Sequence, residues 1–379
     1  MDERFTVTYR IFARSREEAR ERAEGVALEQ TVEIPRDAVS AGYVEDVILG
    51  RVVGLEAEPS GETWRARLSY APDTVGHELT QFLNVIFGNS SIQKGIKVLA
   101  IEPGHEMTRR FPGARFGAAG IRRLSGRKAG GFVCPVIKPQ GSDTEHFARL
   151  CHATALAGAD IVKEDHGLAN QPAAPFRERV AASADAVARA NAERRARGDT
   201  SRALYFPSIL GHGDQVRDDA YFAKAAGADG VLIIPGILGF DAMHRLAEDE
   251  GFGLPIMAHP AHLGPYVLSP DTGYSHGVLF GTLMRIAGAD ISVFPNHGGR
   301  FGFSRAECGE IVGACRDASG PGLPIMPSPG GGMSMDRLPD MMRLYGPDCV
   351  YLLGGSLLRY GDRIGDAIRE MRAALDAGA

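Results

Sequence analysis

The stretch AGADIVKEDH, residues 157–166, contains the pattern that decides the fold. A small-residue turn, AGAD, leads into a short apolar run and then into four polar residues. The turn is typical of a helix that ends at a glycine, and the apolar run is typical of a buried parallel strand. The same AGAD turn returns at residues 226–229 and 287–290. This repetition indicates a chain in which helices alternate with parallel strands.

Short apolar runs, each followed by a helical segment, fill the chain after residue 125. Eight such units predict either a closed barrel or a doubly wound sheet. Polar residues follow six of the runs, and a barrel gathers the ends of all its strands around one pocket. The sequence therefore predicts an α/β protein in which residues 126–379 form a (β/α)8 TIM barrel, the catalytic domain. The predicted strands are residues 132–137, 161–163, 203–208, 230–234, 255–258, 291–294, 324–326 and 349–353.

Residues 1–125 follow a different pattern, in which alternating strands are separated by longer and less regular segments. This pattern predicts an N-terminal α+β domain of the ferredoxin-like kind, with a small antiparallel sheet and helices on one face. The predicted strands are residues 5–12, 51–56, 63–69 and 98–101, and the predicted helices are residues 15–30 and 79–88.

Composition excludes several classes of protein. The chain has 379 residues, is 44% hydrophobic and carries a net charge of -5, which gives no general attraction to nucleic acid or to an anionic membrane. Its five cysteines are scattered, without a CxxC motif, which predicts reduced thiols rather than disulfides or zinc. The N-terminus lacks the apolar stretch of a signal peptide, and no apolar run is long enough to cross a membrane. We expect a cytoplasmic protein.

Two lysines end the first two barrel strands. Lys138 follows the first strand, and Lys163 is followed by Glu164, Asp165 and His166 after the second. Lys163 and Asp165 share one face of a strand because side chains alternate. If CO2 converts Lys163 to a carbamate, then Lys163, Asp165 and His166 become candidate ligands for Mg²⁺, which prefers oxygen. The alternatives are a lysine that only reaches water, for Lys138, and an ion cluster that closes the barrel mouth, for the others.

Later strands add further candidates. His259 follows the fifth strand as a candidate acid, base or phosphate contact, with a structural histidine as the alternative; His262 is the more doubtful of the two. Arg300 lies among glycines after the sixth strand, which suggests a mobile loop that closes over an anion, or else a solvated loop. Glycines at the last two strands, in residues 329–332 and 354–355, predict a phosphate site; tight turns without a ligand are the alternative. The candidate phosphate-binding glycines are Gly331, Gly332, Gly354 and Gly355.

Taken in order, these motifs resemble the RuBisCO superfamily, and more narrowly its RuBisCO-like, or form IV, proteins. The resemblance covers nearly the whole chain, including residues 28–31 and 88–89 of the N-terminal part. The motifs that carry it are VIKP at 136–139, VKEDH at 162–166, AHPAH at 258–262, NHGGRF at 296–301, PSPGGG at 327–332 and LGGS at 353–356.

The resemblance implies roles that the residues alone do not fix. It implies that Lys138 is the base of an enolisation, and that a carbamylated Lys163 binds Mg²⁺ together with Asp165. It also implies a homodimer with shared active sites, in which Glu29 and Asn89 of one subunit reach the barrel of the other.

Departures from the carboxylating members bear on the reaction. His166 stands where they have a metal-binding glutamate, and Gln140 replaces a second active-site lysine. Arg300 stands near the position of the mobile loop's lysine, and Gly330 replaces a serine. The sixth strand ends at residues 292–294 without the expected histidine. These changes affect groups that handle CO2 and the carboxylated product, so we do not expect carboxylation of ribulose bisphosphate.

What remains is machinery for an enolate: a lysine base, a Mg²⁺ site and one phosphate pocket. We expect a phosphorylated keto sugar or keto sugar acid as substrate. Among the reactions that the resemblance implies, we favour that of a decarboxylase, or a transcarboxylase/hydrolase, acting on 3-oxo-isoapionate 4-phosphate, because His166 breaks the acidic cluster that the salvage enolases keep. The alternatives are a methionine-salvage enolase or isomerase acting on a methylthio-pentulose phosphate, and a non-catalytic barrel that binds a metabolite.

Overall fold

A computed structural model describes residues 3–59 and 61–377. Residues 1, 2, 60, 378 and 379, which include the outer ends of both predicted domains, lie outside the described residues. No helix in the described ranges is long and apolar enough to cross a membrane. All five cysteines are buried and unpaired.

The N-terminal part is an α+β unit built on a five-stranded sheet. Its strand order is β10-β4-β1-β3-β2, where β10 is the short strand Gly273–Tyr274. Strand β1 is antiparallel to both β3 and β4. Every second residue of β1 is buried, which gives one face of the sheet an apolar surface against the helices. The elements are β1 (Phe5–Phe12), α1 (Arg16–Glu29), β2 (Arg51–Ala57), β3 (Thr63–Tyr70), α2 (Leu79–Phe87), β4 (Ile96–Glu102), α3 (Gly104–Arg110) and α4 (Gly117–Ser125), with short helical turns at Arg36–Ala38, Val44–Ile48, Pro72–Thr74 and Asn89–Ile92.

The remaining elements alternate strand and helix around a ring. The ring strands are β5 (Phe132–Ile137), β6 (Ile161–Glu164), β7 (Leu204–Phe206), β8 (Val231–Ile233), β9 (Ile256–Ala258), β11 (Ile291–Pro295), β12 (Met326–Gly330) and β13 (Val350–Leu353). The helices are α5 (Thr144–Leu156), α6 (Phe176–Ala196), α7 (Val216–Ala225), α8 (Pro235–Leu238), α9 (Phe240–Glu248), α10 (Met284–Ile286), α11 (Arg305–Arg316), α12 (Leu338–Tyr345), α13 (Gly355–Leu358) and α14 (Ile364–Ala377). Short turns lie at Gly264–Tyr266, Val278–Leu283, Met335–Arg337 and Gly361–Arg363. The predicted fold class, a TIM barrel after a ferredoxin-like unit, is confirmed.

The AGAD turns fix where barrel strands begin. Each turn ends in a buried or nearly buried aspartate: Asp160, Asp229 and Asp290. Their carboxylates accept the backbone N–H of Val133, Tyr205 and Ile256 at 2.8, 3.0 and 2.9 Å, respectively. The glycine of each turn has a φ between 95° and 108°, a left-handed conformation that disfavours other residues. The repeat is therefore a device that locks one strand against its neighbour.

The ring consists of two four-stranded halves. Parallel ladders join β13-β5-β6-β7 and β12-β11-β9-β8, and a single bridge from Ser208 to Leu232 joins β7 to β8. Between β12 and β13 the contact is a side-chain bond, from Ser328 Oγ to the Val350 carbonyl at 3.0 Å. Pro327 and Pro329 alternate with Ser328 along β12 and have no N–H to donate. The prolines thus explain why the described residues form no backbone ladder at this seam.

The predicted end of the seventh strand at residue 326 is wrong. Strand β12 begins at Met326 and continues to Gly330, because it stays in register with β11 as far as Pro295. Proline is a strand breaker only where its missing N–H would face a partner strand in a ladder. Part of the predicted glycine loop is therefore strand.

A layer of apolar side chains fills the barrel below its mouth. Helix α4 closes the other end, where Ile121 packs with Phe132, Ile161 and Leu204 in one buried cluster. Helix α4 lies before the predicted domain boundary at residue 125, but its Ile121 packs in the barrel core. The boundary itself stays a prediction.

One strand links the two parts of the chain. Strand β10 (Gly273–Tyr274) comes from the segment between β9 and β11 and pairs in parallel with β4 at Lys97 and Val98. The sequence did not predict this strand, because two residues are too few to form a pattern. The N-terminal sheet is therefore completed by the barrel.

We expect Asp290→Ala to lower the free energy of unfolding by about 3 kcal/mol, since it leaves buried N–H groups without an acceptor. Asp290 accepts from Phe116 and Gly117 at 2.7 and 2.8 Å, as well as from Ile256. The measurement is thermal unfolding by calorimetry, with Asp241→Ala in α9 as the matched control. Equal melting temperatures for the two variants would contradict this role of Asp290.

Candidate active site

A cavity of about 740 Å³ opens at the carboxyl ends of the barrel strands. This position is where barrels of this type concentrate their functional side chains. All barrel residues that the sequence proposed as catalytic, metal-binding or phosphate-binding line this one cavity, and so does His262. They are Lys138, Lys163, Asp165, His166, His259, His262, Arg300, Gly331, Gly332, Gly354 and Gly355.

Strand alternation orients the second strand's polar run as predicted. Lys163 and Asp165 face the cavity, whereas Glu164 points to the opposite side and is fully buried. There Glu164 accepts from Arg179 Nε and from the Tyr205 hydroxyl, each at 2.8 Å. Glu164 and its partners hold the strand end and leave the flanking Lys163 and Asp165 to the cavity.

The central pair of the site is Lys138 and Asp165. The Lys138 ammonium lies 3.0 Å from Asp165 Oδ1, and the His166 ring nitrogen Nδ1 lies 3.6 Å from the same oxygen. Burial alone would raise the pKa of Asp165, but the adjacent His166 and the charges of Lys138 and Lys163 lower this pKa well below its usual value. Asp165 therefore stays a carboxylate that fixes the position of the Lys138 amine.

Lys163 is the most buried cation of the site, with 1% of its surface exposed. It donates to the Glu164 carbonyl at 2.8 Å. Burial lowers the pKa of Lys163 to about 8, with Asp165 acting in the opposite direction. An amine with this pKa is partly neutral in mildly alkaline solution, and only a neutral amine can react with CO2.

His166 and His259 stack across the mouth, with ring centroids 4.1 Å apart and an interplanar angle of 13°. Burial, followed by the charge of Lys163, lowers the pKa of His259 well below its usual value, so the ring is neutral. Its Nδ1 accepts the N–H of Ala261 at 3.2 Å. The proton of His259 is therefore on Nε2, where it can be donated to a ligand.

The side chains as they stand do not form a metal centre. Among the described residues, no three His, Cys, Asp or Glu side chains are grouped to hold a metal ion. Asp165 is engaged by Lys138, and the His166 ring is stacked on His259. Mg²⁺ prefers several oxygen ligands, and only a carbamate on Lys163 would add the missing anionic oxygen. The predicted set of Lys163, Asp165 and His166 thus stays a prediction that depends on this modification.

The two glycine runs lie next to two arginines. Gly331 has a φ of 81°, and a Cβ atom there would be 2.6 Å from the Phe301 ring, so the loop that carries Arg300 packs directly on it. Next to the second run, the Ser356 Oγ is buried without a hydrogen-bond partner in the described structure. The arginines, Arg300 and Arg359, line the cavity, and neither forms an ion pair with a described residue. The Arg300 guanidinium lies over the Phe301 ring, 4.9 Å from its centroid. Two guanidinium groups without a carboxylate partner are suited to an anion.

Sequence reasoning missed Arg359. It lies four residues after Gly355, in the short helical segment that follows the last strand. Its spacing from the predicted phosphate glycines was a usable signal.

The cavity also has an apolar wall that sequence reasoning did not locate. The side chains come from β11, from the loop after it, from the segment before it and, for Met333, from the loop after β12. Phe280 and Phe303 contact each other, with ring centroids 5.8 Å apart. No single run of sequence carries the pattern, since the wall assembles from distant positions. Its members are Leu268, Phe280, Val293, Phe294, Phe301, Phe303 and Met333.

Glu29 and Asn89 do not line this cavity. They lie together on the N-terminal part, where the Asn89 side-chain amide donates to Glu29 at 2.9 Å and to Glu33 at 3.1 Å. Their pairing brings the two predicted residues together, but in one chain they are separate from the barrel site. Their predicted place in a partner's site stays a prediction.

Comparisons with known proteins agree with this architecture. A family model described as the ribulose bisphosphate carboxylase large chain, catalytic domain, matches residues 118–300. The 5-methylthioribulose-1-phosphate isomerase of Rhodospirillum rubrum is 38% identical, covering 96% of this chain and 94% of its own. The 2,3-diketo-5-methylthiopentyl-1-phosphate enolase of Geobacillus thermodenitrificans is 30% identical, covering 98% and 92%.

Solved structures give the same result. A RuBisCO-like protein from Rhodopseudomonas palustris has a TM-score of 0.87 and 35% identity, covering 99% of this chain and 98% of its own. An octameric ribulose-1,5-bisphosphate carboxylase/oxygenase from Pyrococcus horikoshii has a TM-score of 0.86 and 25% identity, covering 99% and 88%. The names of the sequence relatives favour the methionine-salvage alternative over the decarboxylation that the sequence favoured.

Near neutral pH in CO2-free buffer, we expect the free energy of unfolding of Lys163→Met to exceed that of the original protein by about 3 kcal/mol. The folded-state pKa of Lys163, about 8, lies below the unfolded value of 10.5, so the free-energy cost of burying its charge is complete below pH 8. The cost disappears as the pH rises through that window. Calorimetric unfolding at neutral pH and near pH 10.5 measures the difference. A difference in the free energy of unfolding that does not change with pH would contradict the lowered pKa of Lys163.

Proposed function

The chain belongs to the RuBisCO-like proteins of the RuBisCO large-chain family, and from that premise we propose that it moves a carbon-bound proton through an enediolate. The proposed substrate is a phosphorylated keto sugar with a methylthio tail. The proposal adopts the methionine-salvage alternative. It is supported by the names of two relatives, one an isomerase and one an enolase, both of which act on methylthio sugar phosphates.

The observation that carries the proposal is the composition of the cavity lining. The lining combines cationic and polar residues with an apolar wall rich in phenylalanine. A methylthio group forms no strong hydrogen bonds, and its burial against such a wall is favourable. A substrate with a second anionic group at that end would lose the hydration of its charge without a partner.

The decarboxylase alternative is less well supported for the same reason. A phosphorylated keto acid needs cations at two ends of the cavity, and the apolar wall occupies the sector around β11. A purely non-catalytic barrel has no use for the pair of Lys138 and Asp165 within the cavity. The variants below separate these alternatives.

In the proposed reaction, Lys138 in its neutral amine form takes the proton from the carbon next to the carbonyl and becomes an ammonium. Asp165, 3.0 Å away, orients the amine, and the resulting charge is spread over two substrate oxygens. The Nε2 proton of His259 is available to one of these oxygens, because Nδ1 is already an acceptor. Return of the proton to a neighbouring carbon completes an isomerisation, and return to oxygen completes an enolisation.

Arg300 and Arg359, with the glycine runs and Ser356, are proposed to bind the phosphate. The loop that carries Arg300 packs on Gly331, so closure of this loop would bring its guanidinium and the glycine backbone to the same group. This arrangement leaves the part of the apolar wall around Leu268, Phe280 and Phe294 for the tail of the substrate.

A magnesium ion, as the family resemblance implies, would add charge stabilisation for the enediolate. The roles given above belong to the chain's own residues and do not depend on that ion. Carbamylation of Lys163 is proposed as the condition under which the ion binds.

We also propose a homodimer in which Glu29 and Asn89 approach the partner's cavity. The oligomeric RuBisCO of Pyrococcus horikoshii supports assembly in this family. The exposed Ile92, with 84% of its surface accessible, lies three residues after Asn89 and is a surface that association would bury. We place the protein in the cytoplasm on the basis of its cysteines alone.

Carbamylation is tested without any turnover. At a pH of about 8, where Lys163 is partly neutral, carbon-13-labelled bicarbonate should give one protein-bound carbamate resonance in nuclear magnetic resonance. The resonance should be absent in Lys163→Arg and present in Lys128→Arg, which changes an exposed lysine. A resonance that survives in Lys163→Arg would place the modification elsewhere.

Lys138→Met should lower kcat for 5-methylthioribulose 1-phosphate by about 10³-fold, since a general base contributes a factor of this order. Exchange of substrate protons in D2O, followed by nuclear magnetic resonance, should stop in the same variant. Lys128→Met is the matched control and should keep both activities. Retained proton exchange in Lys138→Met would show that another group is the base.

A further inference from the structure

A strap of the chain separates the active-site cavity from a second cavity. We define the strap as residues 264–273, between β9 and β10. Its Leu268 lines the active-site cavity, and the same residue, together with Val267 and Ser269, also lines a cavity of about 650 Å³. That second cavity lies between the N-terminal sheet and helix α11. One thin segment therefore forms the wall between the substrate site and the sheet.

A single buried lysine of the N-terminal sheet holds this strap. Lys97 lies on β4, on the face opposite the apolar core, and only 6% of its surface is exposed. Its ammonium donates to the Ser269 carbonyl at 2.5 Å and to the Val267 carbonyl at 3.4 Å. These two carbonyls flank Leu268 on both sides. The lysine thereby fixes the backbone from which the Leu268 side chain projects.

This arrangement is costly for a lysine. No carboxylate of the described residues lies within 4 Å of the Lys97 ammonium, so its hydrogen bonds are to carbonyl oxygens alone. A buried ammonium destabilises a protein unless its charge and its donors are satisfied. Burial lowers the pKa of Lys97, and the more distant carboxylates of Glu307, Glu310 and Asp271 offset this effect only in part. A methionine or leucine would fill the same space without the free-energy cost of burying a charge. The position of the strap is the feature that distinguishes lysine from these residues.

Other contacts fix the strap independently of the Lys97 side chain. Gly273 pairs with the backbone of Lys97 in the short parallel ladder, and a Cβ atom at Gly273 would be 2.1 Å from the Tyr266 carbonyl. Val267 is buried in the main apolar core. Between these anchors Leu268 is 63% exposed, although it is apolar. Its exposed surface is available to a ligand in the active-site cavity.

We propose that Lys97 is a positioning residue that sets the selectivity for the apolar tail of the substrate by holding Leu268 against it. The proposal rests on the proposed function for the identity of the tail. Lys97 acts through Leu268 and does not touch the reacting atoms. The N-terminal sheet of the chain thus contributes to substrate choice in its own barrel.

The first experiment compares two substrates that differ only at the tail: 5-methylthioribulose 1-phosphate and ribulose 1-phosphate. Leu268→Ala should raise the KM of the methylthio substrate about tenfold, as expected for loss of apolar contact in a pocket. Lys97→Met should give the same increase. Both variants should keep kcat, and the KM of ribulose 1-phosphate should be unchanged. Lys97→Arg, which keeps the charge and the donors, should restore most of the selectivity.

A second measurement does not need turnover. Calorimetry gives the ratio of the affinities for butyl phosphate and inorganic phosphate, and this ratio should fall about tenfold in Leu268→Ala and in Lys97→Met. Hydrogen–deuterium exchange of the 264–273 peptide should become faster in Lys97→Met, while exchange in β1 and β3 stays unchanged. The exchange result also shows that the variant is folded.

The outcomes separate the two proposals. If the unmodified protein turns over neither sugar phosphate, the proposed function is wrong, and the butyl phosphate ratio still judges the strap. If Lys97→Met raises both KM values equally, or leaves both the affinity ratio and the exchange of the strap unchanged, Lys97 does not position Leu268. Selective loss of the apolar ligand, with faster exchange of the strap, supports the inference.

Discussion

Register between neighbouring barrel strands is the constraint on which the active site depends. Asp160, Asp229 and Asp290 each tie the start of one strand to the backbone of the strand before it. Because side chains alternate in a strand, a slip of one residue in β6 would turn Lys163 and Asp165 outward and bring Glu164 into the cavity. The aspartates lie at the opposite end of the barrel from the chemistry, and they control it through the length of the strands.

The mouth of the barrel concentrates charge that folding alone would avoid. Lys163 is buried with a pKa lowered to about 8, and Asp165 is held as a carboxylate among cations. Lys97 is a third buried charge, placed where the N-terminal sheet meets the strap. Buried charges of this kind reduce stability unless they are fully paired, which is why they tend to mark functional positions. Here Lys163 and Asp165 line the active-site cavity, and Lys97 lies behind the strap that separates this cavity from the second one.

Much of this architecture could be predicted from the sequence. Short apolar runs gave the barrel strands, and the polar residues after them gave the cavity, since the carboxyl ends of strands in a barrel meet by geometry. The sequence did not predict the end of β12 correctly. The prolines of β12 suggest a loop, although only one of the two edges of this strand lacks backbone N–H donors. Strand β10 is too short for a pattern. The apolar wall is made by single residues such as Leu268 and Phe280, which only folding brings together.

The prediction of the substrate was limited in the same way, because it used the motifs alone. His166 indicated a departure from the acidic cluster of the family, and the sequence favoured decarboxylation on that basis. The apolar wall and the names of the relatives favour a methylthio substrate instead. Most residues of that wall, such as Leu268 and Phe280, lie outside the motifs. Motifs record the reactive end of a site, whereas specificity is often carried by its least regular part.

The seam between β12 and β13 gives the barrel a mechanical property. Elsewhere around the ring, separating two strands breaks backbone hydrogen bonds, but here Pro327 and Pro329 have none to break, and the Ser328 hydroxyl provides the only polar tie among the described residues. Breathing of the cylinder will therefore concentrate along this one line. This seam ends beside the two glycine runs, so the most easily deformed part of the barrel is next to the proposed phosphate site.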